Sequence, residues 1–249
     1  MENELPPKVE VRNLTKRFGN LLVLDKISFN IAENELLCVV GPTGCGKTTF
    51  LNSLTKLYDI NYGEILLNGK EVDLRKNNIS YIFQETSTFP WLTVEQNVGF
   101  GLKIKKIPFA QKEEQINEVL EMVGLSKFRN YYPSQLSSSM QQRVVIARAF
   151  ATKPELLLMD EPYAQLDIEL RYKLEDELVL LWEKTKTTVI FITHNVEEAV
   201  YLGGKIMVLT NKPTKVKTII DNTLPRPRNI SDNDFIALRS QVTELIKWW

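Results

Sequence analysis

The sequence predicts an α/β protein built on a mainly parallel β-sheet, and three observations support that fold class. Short apolar runs of strand length recur along the chain of 249 residues, each bounded by turn residues or charges. Helical patterns alternate with these runs from about residue 35 onward, which is typical of parallel sheets. A glycine-rich turn joins one of the runs to a helical pattern, and turns of this kind bind ligands.

The individual elements follow from the same patterns. Strands are predicted over residues 8–14, 22–31, 35–41, 64–69, 79–84, 155–160, 187–193 and 205–210. Helices are predicted over residues 46–57, 110–123, 139–151, 167–184, 195–202 and 232–247, the last of them capped by Ser231 or Asp232. The first two runs alternate in polarity enough to form an antiparallel edge sheet. Residues 86–153 show helical patterns without a convincing strand, which indicates a helical insertion.

Composition excludes several classes of protein. The 31 basic and 31 acidic side chains give a net charge of zero, whereas dedicated nucleic-acid binders usually carry a basic excess. One histidine and two cysteines are too few for a structural zinc site, which takes four ligands. No apolar run approaches the roughly 18 residues of a membrane-spanning helix, and no signal-peptide pattern is present. We therefore expect a reduced, cytosolic protein that reaches a membrane only through a partner chain.

A phosphate-binding loop is predicted between the strand at 35–41 and the helix at 46–57. Its residues match G-x-x-x-x-G-K-[ST], and they are Gly41, Pro42, Thr43, Gly44, Cys45, Gly46, Lys47 and Thr48. Glycines let backbone N–H groups turn inward around an anion, and the helix N-terminus adds its dipole. We expect Lys47 to contact the β- and γ-phosphates and the Thr48 hydroxyl to bind Mg²⁺. Cys45, at a helix N-terminus, is expected either to have a lowered pKa and react with alkylating agents or to be an inert small side chain.

The base favoured by the sequence is adenine. A protein that reads guanine would need an N-K-x-D motif. Residues 211–214 are Asn-Lys-Pro-Thr, so threonine stands where that motif has aspartate. Because the mismatch falls on the residue that would read guanine, we expect ATP to be the nucleotide.

Two acidic residues end another predicted buried strand. The apolar residues 156–159 are followed by Asp160 and Glu161, and ligands bind at the carboxyl ends of such strands. We expect Asp160 to hold Mg²⁺ directly or through water. Glu161 would face the water that attacks the γ-phosphate, as base or as orienting group. A lone acidic pair is often just a solvated strand end, but the phosphate loop upstream favours the metal site.

In this combination, and over nearly the whole chain, the sequence resembles the ATP-binding cassette (ABC) ATPases. Four further elements stand in the order of that family: the Q-loop glutamine at Gln84, the signature motif at 136–143, the D-loop at 164–167 and the switch histidine at His194. Phe18, 29 residues before Lys47, is placed like the aromatic residue that stacks on adenine. Each of these motifs alone is weak evidence for the family, whereas the complete set in this order is highly specific for it.

The resemblance implies a P-loop NTPase fold with a RecA-like core, an antiparallel β subdomain and an inserted helical subdomain. The ATP-binding core with the β subdomain would span residues 1–85 and 154–222, the helical subdomain 86–153, and a C-terminal helical tail 223–249. The resemblance also implies catalytic roles for Glu161, His194 and Gln84. It further implies a Mg²⁺ site formed by Thr48, Gln84 and Asp160. ATP would also contact Phe18, the phosphate loop through Thr49, and a set from the signature and D-loop, namely Ser137, Ser138, Ser139 and Asp167.

The resemblance narrows to the nitrate, sulfonate and taurine importer ATPases at residues 83–85, 90–98 and 196–201. It implies the motor subunit of a prokaryotic importer, in which two cassettes, expected to be a homodimer, pack head to tail around two ATP molecules. Permease subunits would dock near the Q-loop, in a region including residues 85–97, and would hold the chain on the inner face of the cell membrane. A solute-binding protein would be an indirect partner, and nucleic acid is not expected to be one.

The signature motif departs from the family pattern. Ser138 and Ser139 stand at two positions that are usually glycine, where the backbone would approach the γ-phosphate across the dimer and an added Cβ takes up space. Serine is nevertheless a good helix cap, and its hydroxyl could donate to phosphate. We therefore expect weaker or slower ATP-driven dimer closure, not its loss. Asn195 and the pair Gly203-Gly204 also differ from the usual residues, and the sequence gives no functional interpretation of them.

Two other function classes stay open at this point. One is a soluble cassette ATPase of DNA repair or translation, but the long coiled-coil insertion or second cassette usual there does not fit within 249 residues. The other is a weakly or non-hydrolysing nucleotide-binding cassette that acts as a structural partner in a heteromeric complex. The serine pair supports that alternative, whereas intact Glu161 and His194 argue against it. Trp248 and Trp249 are expected to cap the packing of the last helix.

Overall fold

The structure, a computed structural model, describes residues 6–246 and falls into two compact units. The first unit consists of the described residues up to Ile79 and from Thr188 onward, and the second consists of Ser80–Thr187. Trp248 and Trp249, for which a packing role is predicted, lie outside the described residues. The proposed functional boundaries at residues 86, 153 and 222 stay a prediction.

The elements, in chain order, are β1 (Val9–Phe18), β2 (Leu21–Ile31), β3 (Leu36–Val40), α1 (Lys47–Leu54), β4 (Tyr62–Leu67), β5 (Lys70–Glu71), β6 (Ile79–Ile82), α2 (Val94–Val98), α3 (Phe100–Ile104), α4 (Phe109–Met122), α5 (Ser138–Ala151), β7 (Leu156–Asp160), α6 (Ile168–Thr185), β8 (Thr188–Thr193), α7 (Val196–Leu202), β9 (Lys205–Leu209), β10 (Val216–Asp221) and α8 (Asn233–Ile246). Two short 3-10 turns, Ser126–Phe128 and Pro133–Gln135, lie between α4 and α5. The alternation of strands and helices confirms the predicted α/β class.

The first unit contains an antiparallel sheet in the order β2-β1-β4-β5. Val9 lies opposite Ile31 of β2 and opposite Leu67 of β4, so β1 is the central strand of the three. This pairing confirms the antiparallel sheet that the alternating polarity of the first two runs predicts. The short strand β5 is not predicted, because two exposed charged residues carry no apolar pattern.

The parallel core of the first unit places β3 between β8 and β9. All residues of β3 and β8 are buried, which is why each appears in the sequence as a continuous apolar run. Val40, the last residue of β3, lies opposite Thr193 of β8 and Val208 of β9, so the three strands end at one edge. The loops that follow them therefore share that edge. β10 pairs antiparallel with β9 and is not predicted, because its residues are only half-buried or exposed.

The helix α7 is capped at both ends by side chains. Asn195 accepts hydrogen bonds from the backbone N–H groups of Glu197 and Glu198. The buried Arg228 guanidinium donates to the carbonyl oxygens of Val200, Tyr201 and Gly203, which lie at the other end of the helix. The unusual Asn195 thus has a structural explanation as a helix cap.

The second unit holds two neighbouring strands, β6 and β7, and the helices α2 to α6. β7 is completely buried, and Phe150 of α5 and Tyr163 are among the largest buried side chains. The helix α2 begins with a capping box in which Thr93 and Gln96 satisfy one another's backbone N–H groups. α2 and α3 are not predicted individually, because five residues are too few to show a helical period.

The last described helix begins at Asn233, directly after Asp232, which fits one of the two predicted cap positions. The carbonyl oxygen of Asp232 accepts the N–H of Ile236, as expected of a residue at that position. Among residues 6–246, no helix has both the length and the apolar character needed to span a bilayer.

Candidate functional site

The predicted phosphate loop follows β3 and leads into α1 in the first unit. Gly44 has a φ of +76° and Gly46 a φ of +116°, a backbone region that residues with a Cβ rarely adopt. A Cβ on Gly46 would also come within 2.8 Å of Cγ1 of Val23. The sequence therefore requires glycine here for two independent reasons, backbone conformation and close packing.

The phosphate loop combines backbone N–H groups with a buried cation. The N–H groups of Gly46, Thr48 and Thr49 donate to no residue within the described part of the chain. The Lys47 ammonium, which is buried, donates to the carbonyl oxygens of Gly41 (3.1 Å) and Pro42 (3.2 Å) and so lies across the loop. The Thr48 hydroxyl is on an exposed residue. This arrangement of N–H groups, a helix N-terminus and an ammonium suits a polyphosphate.

His194 lies at the same edge of the parallel core as the phosphate loop. It follows Thr193 of β8 directly, and Thr193 is opposite Val40, the residue before Gly41. The histidine is exposed. The structure thus brings the predicted switch histidine and the phosphate loop together within one unit.

Phe18 lies at the end of β1 and is 44% exposed. Its ring meets the ring of Tyr58 edge to face, with 5.5 Å between the ring centroids, and the Lys16 ammonium lies 4.8 Å from the Phe18 centroid. An exposed aromatic face with a neighbouring cation is suited to stacking on a base.

The expectation of a lowered Cys45 pKa is wrong. The side chain is 1% exposed, and burial raises the pKa of the Cys45 thiol, even though the positive charges of Lys47 and Lys212 act in the opposite direction. The prediction considered the helix N-terminus but not the packing around the loop. The structure therefore favours the alternative, an inert buried side chain.

Asp160 and Glu161 lie at the end of β7 in the second unit. Asp160 is 4% exposed and accepts a hydrogen bond from the Tyr81 hydroxyl at 3.4 Å. Glu161 has a φ of +46°, which is uncommon for a residue other than glycine and marks a sharp change of chain direction after the strand. Asp160 is thus buried, whereas Glu161 is half-buried.

Gln84 is exposed and stands two residues after the end of β6, the neighbour of β7. The segment that follows it is held from two sides. The fully buried Asn97 side chain accepts the N–H of Phe89 (2.8 Å) and donates to the carbonyl oxygens of Phe89, Leu92 and Thr93.

The other side of this segment is held by α5, which carries the predicted signature motif. Gln142 accepts a hydrogen bond from the Thr86 hydroxyl at 3.0 Å, and Arg148 donates to the Ser87 hydroxyl at 2.9 Å. The Arg148 guanidinium also lies 4.8 Å from the centroid of the Phe89 ring. The second unit thus joins the residues after Gln84 to the signature helix.

The predicted signature and D-loop residues lie at the N-termini of two helices. Ser137 is the N-cap of α5 and accepts the N–H of Met140 at 3.3 Å, and its hydroxyl lies 2.9 Å from that of Ser139. Ser138 is exposed, and Ser139 is half-buried. Asp167 is the N-cap of α6, where it accepts the N–H of Leu170 at 3.0 Å. The cap of α5 is therefore Ser137, which matches the family pattern, and not one of the two unusual serines.

Three residues of the candidate site carry no signal that sequence reasoning used. Tyr81 donates a hydrogen bond to Asp160, and Asn97 donates one to the carbonyl oxygen of Phe89. No sequence motif links the two residues of either pair. Thr214 lies within the Asn-Lys-Pro-Thr sequence that fails as a guanine motif, yet its hydroxyl donates to the carbonyl oxygen of Cys45. The burial of Asn97, which requires hydrogen-bond partners for its side chain, is visible only in the structure.

These features define a phosphate-loop nucleoside triphosphatase. Comparison with known proteins identifies the family: the sequence model described as ABC transporter matches residues 24–164. An uncharacterised ABC transporter ATP-binding protein of Methanocaldococcus jannaschii is 45% identical over 244 residues, which cover 96% of this chain and 91% of that protein. The chain belongs to the ABC transporter family, and it is an ATP-binding cassette ATPase.

One further relative, named for a transport role, and one solved structure are also similar to most of this chain. The aliphatic sulfonates import ATP-binding protein SsuB of Bacillus cereus is 37% identical over 94% of this chain and 92% of its own length. A solved dimeric ATP-binding cassette in a post-hydrolysis state, bound to ADP and Pi, is 30% identical with a TM-score of 0.74 and covers 87% of this chain and 100% of its own. The predicted P-loop NTPase fold and the suspected family are confirmed.

Proposed function

We propose that this chain is the ATP-hydrolysing motor subunit of an ABC importer, and that it couples ATP binding and hydrolysis in a cassette dimer to solute uptake through separate permease subunits. The observation that carries the proposal is the phosphate loop, whose N–H groups and buried Lys47 suit the phosphates of ATP. The solute class that we propose is an oxyanion of the nitrate, sulfonate or taurine kind. Likeness to the aliphatic sulfonates import protein supports that class.

The adenine and the phosphates of ATP would be bound by different residues of the first unit. We propose that the exposed ring of Phe18 stacks on adenine, with Tyr58 and Lys16 fixing the orientation of that ring. The backbone N–H groups of the loop from Gly41 to Thr49 would surround the phosphates. Lys47 would exchange its two carbonyl partners for phosphate oxygens, which are stronger acceptors because they are charged.

Mg²⁺ fits the proposed ligands by their chemistry. The hydroxyl of Thr48, the amide oxygen of Gln84 and the carboxylate of Asp160 are all hard oxygen donors, and Mg²⁺ in nucleotide sites usually binds one or two carboxylates together with phosphate oxygens. Tyr81 donates to one oxygen of Asp160, which would fix the orientation of that carboxylate. When bound, Mg²⁺ would neutralise charge on the β- and γ-phosphates.

Hydrolysis needs a group that orients the attacking water. We propose Glu161 for this role, because it directly follows the end of β7 and is half-buried rather than buried like Asp160. Gln84 and His194, both exposed, would contact the γ-phosphate or the water. The Asp160 carboxylate is buried and already accepts a hydrogen bond, which suits a ligand rather than a base.

The signature residues would act on a second copy of the chain. Ser137 and Ser138 are exposed at the N-terminus of α5, and Asp167 is exposed at the N-terminus of α6. Exposed helix N-termini are suited to anions. In the proposed homodimer they would face the nucleotide held by the partner's phosphate loop, and the dimeric state of a solved relative supports this arrangement.

Permease subunits would dock on a groove in the second unit. The groove has a volume of about 390 Å³, and it combines exposed aromatic residues with charges. Its lining is formed by Trp91, Leu92, Glu95, Gln96, Gly99, Phe100, Lys103, Lys112 and Ile116. We propose that it holds a short amphipathic helix of a permease, which would place the chain on the inner face of the cell membrane, with a solute-binding protein as an indirect partner.

The docking proposal is tested by co-purification with permease subunits. Trp91→Ala, in the groove, is expected to lower the amount of permease that co-purifies. Phe109 is exposed but does not line the groove, so Phe109→Ala should leave that amount unchanged.

The central test is steady-state MgATP hydrolysis by the full chain and by Glu161→Gln. We expect the variant to bind MgATP but to hydrolyse it at least about a hundredfold more slowly. Glu183→Gln, which removes an exposed carboxylate near the C-terminal end of α6, is the matched control and should keep the wild-type rate. Binding of MgATP without hydrolysis by the wild-type chain would favour the alternative, a weakly or non-hydrolysing cassette in a heteromeric complex.

A further inference from the structure

The loop between β9 and β10 is attached to the outside of the phosphate loop. Thr214 is fully buried there, and its hydroxyl donates to the carbonyl oxygen of Cys45. The backbone of Thr214 is fixed as well, since its N–H donates to Val23 (2.8 Å) and its carbonyl oxygen accepts the N–H of Asp25 (2.9 Å). Thr214 is therefore held by β2 in a position from which its hydroxyl reaches the phosphate loop.

No other donor reaches the Cys45 carbonyl oxygen within residues 6–246. Cys45 is buried, so water cannot replace the Thr214 hydroxyl, and its removal would leave the Cys45 carbonyl oxygen without a hydrogen-bond partner. The hydrogen bond thus decides the orientation of the Cys45–Gly46 peptide group.

The orientation of that peptide group determines where the Gly46 N–H points. A peptide unit is planar and trans, so the C=O and the N–H of one unit point in opposite directions. Because the Cys45 carbonyl points towards Thr214, the Gly46 N–H points away from it, and it donates to no described residue. The glycine backbone at φ +116° would otherwise be permissive enough to let this peptide rotate.

We propose that Thr214 is a positioning residue for nucleotide binding, which holds the Gly46 N–H ready for a phosphate oxygen of ATP. The inference rests on the proposed function, since it assumes that the phosphate loop binds ATP. Its contribution is preorganisation: the donor is already aimed before the nucleotide arrives, so that binding does not have to order it.

The test compares Thr214→Val with Thr214→Ser in the full chain. Valine has nearly the shape of threonine without the hydroxyl, whereas serine keeps the hydroxyl. We expect Thr214→Val to weaken MgATP binding about tenfold, the effect of one hydrogen bond to a charged group, and Thr214→Ser to bind within about twofold of wild type. Thr210→Val is the matched control, because the Thr210 hydroxyl bonds to Asn211 and Lys215 within the same loop and, among residues 6–246, makes no hydrogen bond to the phosphate loop.

Calorimetric titration gives the Kd of each variant, and the rise in Tm at a fixed excess of MgATP gives an independent value measured from each variant's own baseline. Thr214→Ala takes the place of the valine variant should that variant fail to fold. Equal affinity of wild type and Thr214→Val, or equal weakening by valine and serine, would overturn the inference even if Tm falls. If the wild-type chain itself binds no MgATP, the proposed function fails, and the inference fails with it.

Discussion

The phosphate loop and the signature segment are both expected to contact ATP, yet they differ in burial and in hydrogen bonding. Lys47 and Cys45 are buried, and the loop is tied to β2 and to Thr214 by packing and hydrogen bonds. Ser137 and Ser138 are exposed at a helix N-terminus, and the hydrogen bonds of Ser137 stay within the motif. The residues that we propose to bind ATP within one chain are thus held by buried contacts, whereas those that we propose to act on a second copy are exposed.

The largest effect should follow from removing the cation of the phosphate loop. Lys47→Met is expected to weaken MgATP binding about a hundredfold or more, because a buried ammonium and its charge-assisted hydrogen bonds to phosphate are lost. Equilibrium binding of a fluorescent ATP analogue measures this. Lys56→Met, which removes an exposed lysine paired with Glu71, is the control and should bind normally. A Lys47 variant with wild-type affinity would show that the loop is not the nucleotide site.

The second unit should become less stable when the segment after Gln84 loses the hydrogen bonds of Asn97. Asn97→Ala removes a fully buried side chain that makes four hydrogen bonds to backbone groups. We expect a loss of about 2–4 kcal/mol in the free energy of unfolding. Chemical denaturation measures it, with Asn117→Ala as the control, since Asn117 is exposed and its side chain accepts a single hydrogen bond, from Arg129, among the described residues. A loss below about 0.5 kcal/mol would mean that the segment is held by other contacts.

A moderate effect is expected in the signature segment itself. Ser138→Gly combined with Ser139→Gly should raise the ATPase rate by about threefold, because the added Cβ atoms hinder closure on the nucleotide of the partner copy. The matched control is Ser134→Gly, an exposed serine in the preceding turn. Unchanged or lower activity in the double variant would contradict the steric explanation and make the serines a tolerated variation.

The smallest effect concerns Cys45. Since burial raises its pKa, less thiolate is present at pH 7 than in an exposed cysteine, and the labelling rate should increase with pH through the alkaline range. Mass spectrometry after iodoacetamide treatment should find slow labelling of native Cys45 that MgATP changes little, and fast labelling after unfolding. Rapid labelling that MgATP blocks would restore the original expectation of a reactive thiol.

The sequence predicts the parallel core and the phosphate loop because each of them is local. The strand β3, the glycines and Lys47 are consecutive, and buried strands appear as apolar runs. Contacts between distant segments are not predictable in this way. The hydrogen bond from Thr214 to Cys45 joins residues 169 positions apart, and no pattern within either segment indicates it.

Some local features also escape prediction, for physical reasons that differ. The burial that raises the pKa of Cys45 comes from neighbours packed around the loop, whereas the helix N-terminus is visible in the sequence. Asn195 has no functional meaning in the sequence, but the structure shows that its side chain caps α7. The exposed strand β10 lacks the apolar run that marks the buried strands, and its pairing with β9 is what makes it a strand.

For hydrolysis, we propose, the preorganised phosphate loop of one chain needs the exposed signature segment of a second copy. The most direct test of this proposal is the MgATP hydrolysis rate of the purified chain over a protein concentration series. If the active species is the proposed dimer, the rate rises more than linearly with concentration, while the affinity for MgATP at low concentration stays measurable. A rate strictly proportional to concentration down to the lowest values, in a chain that sedimentation shows to be monomeric there, would contradict the proposal.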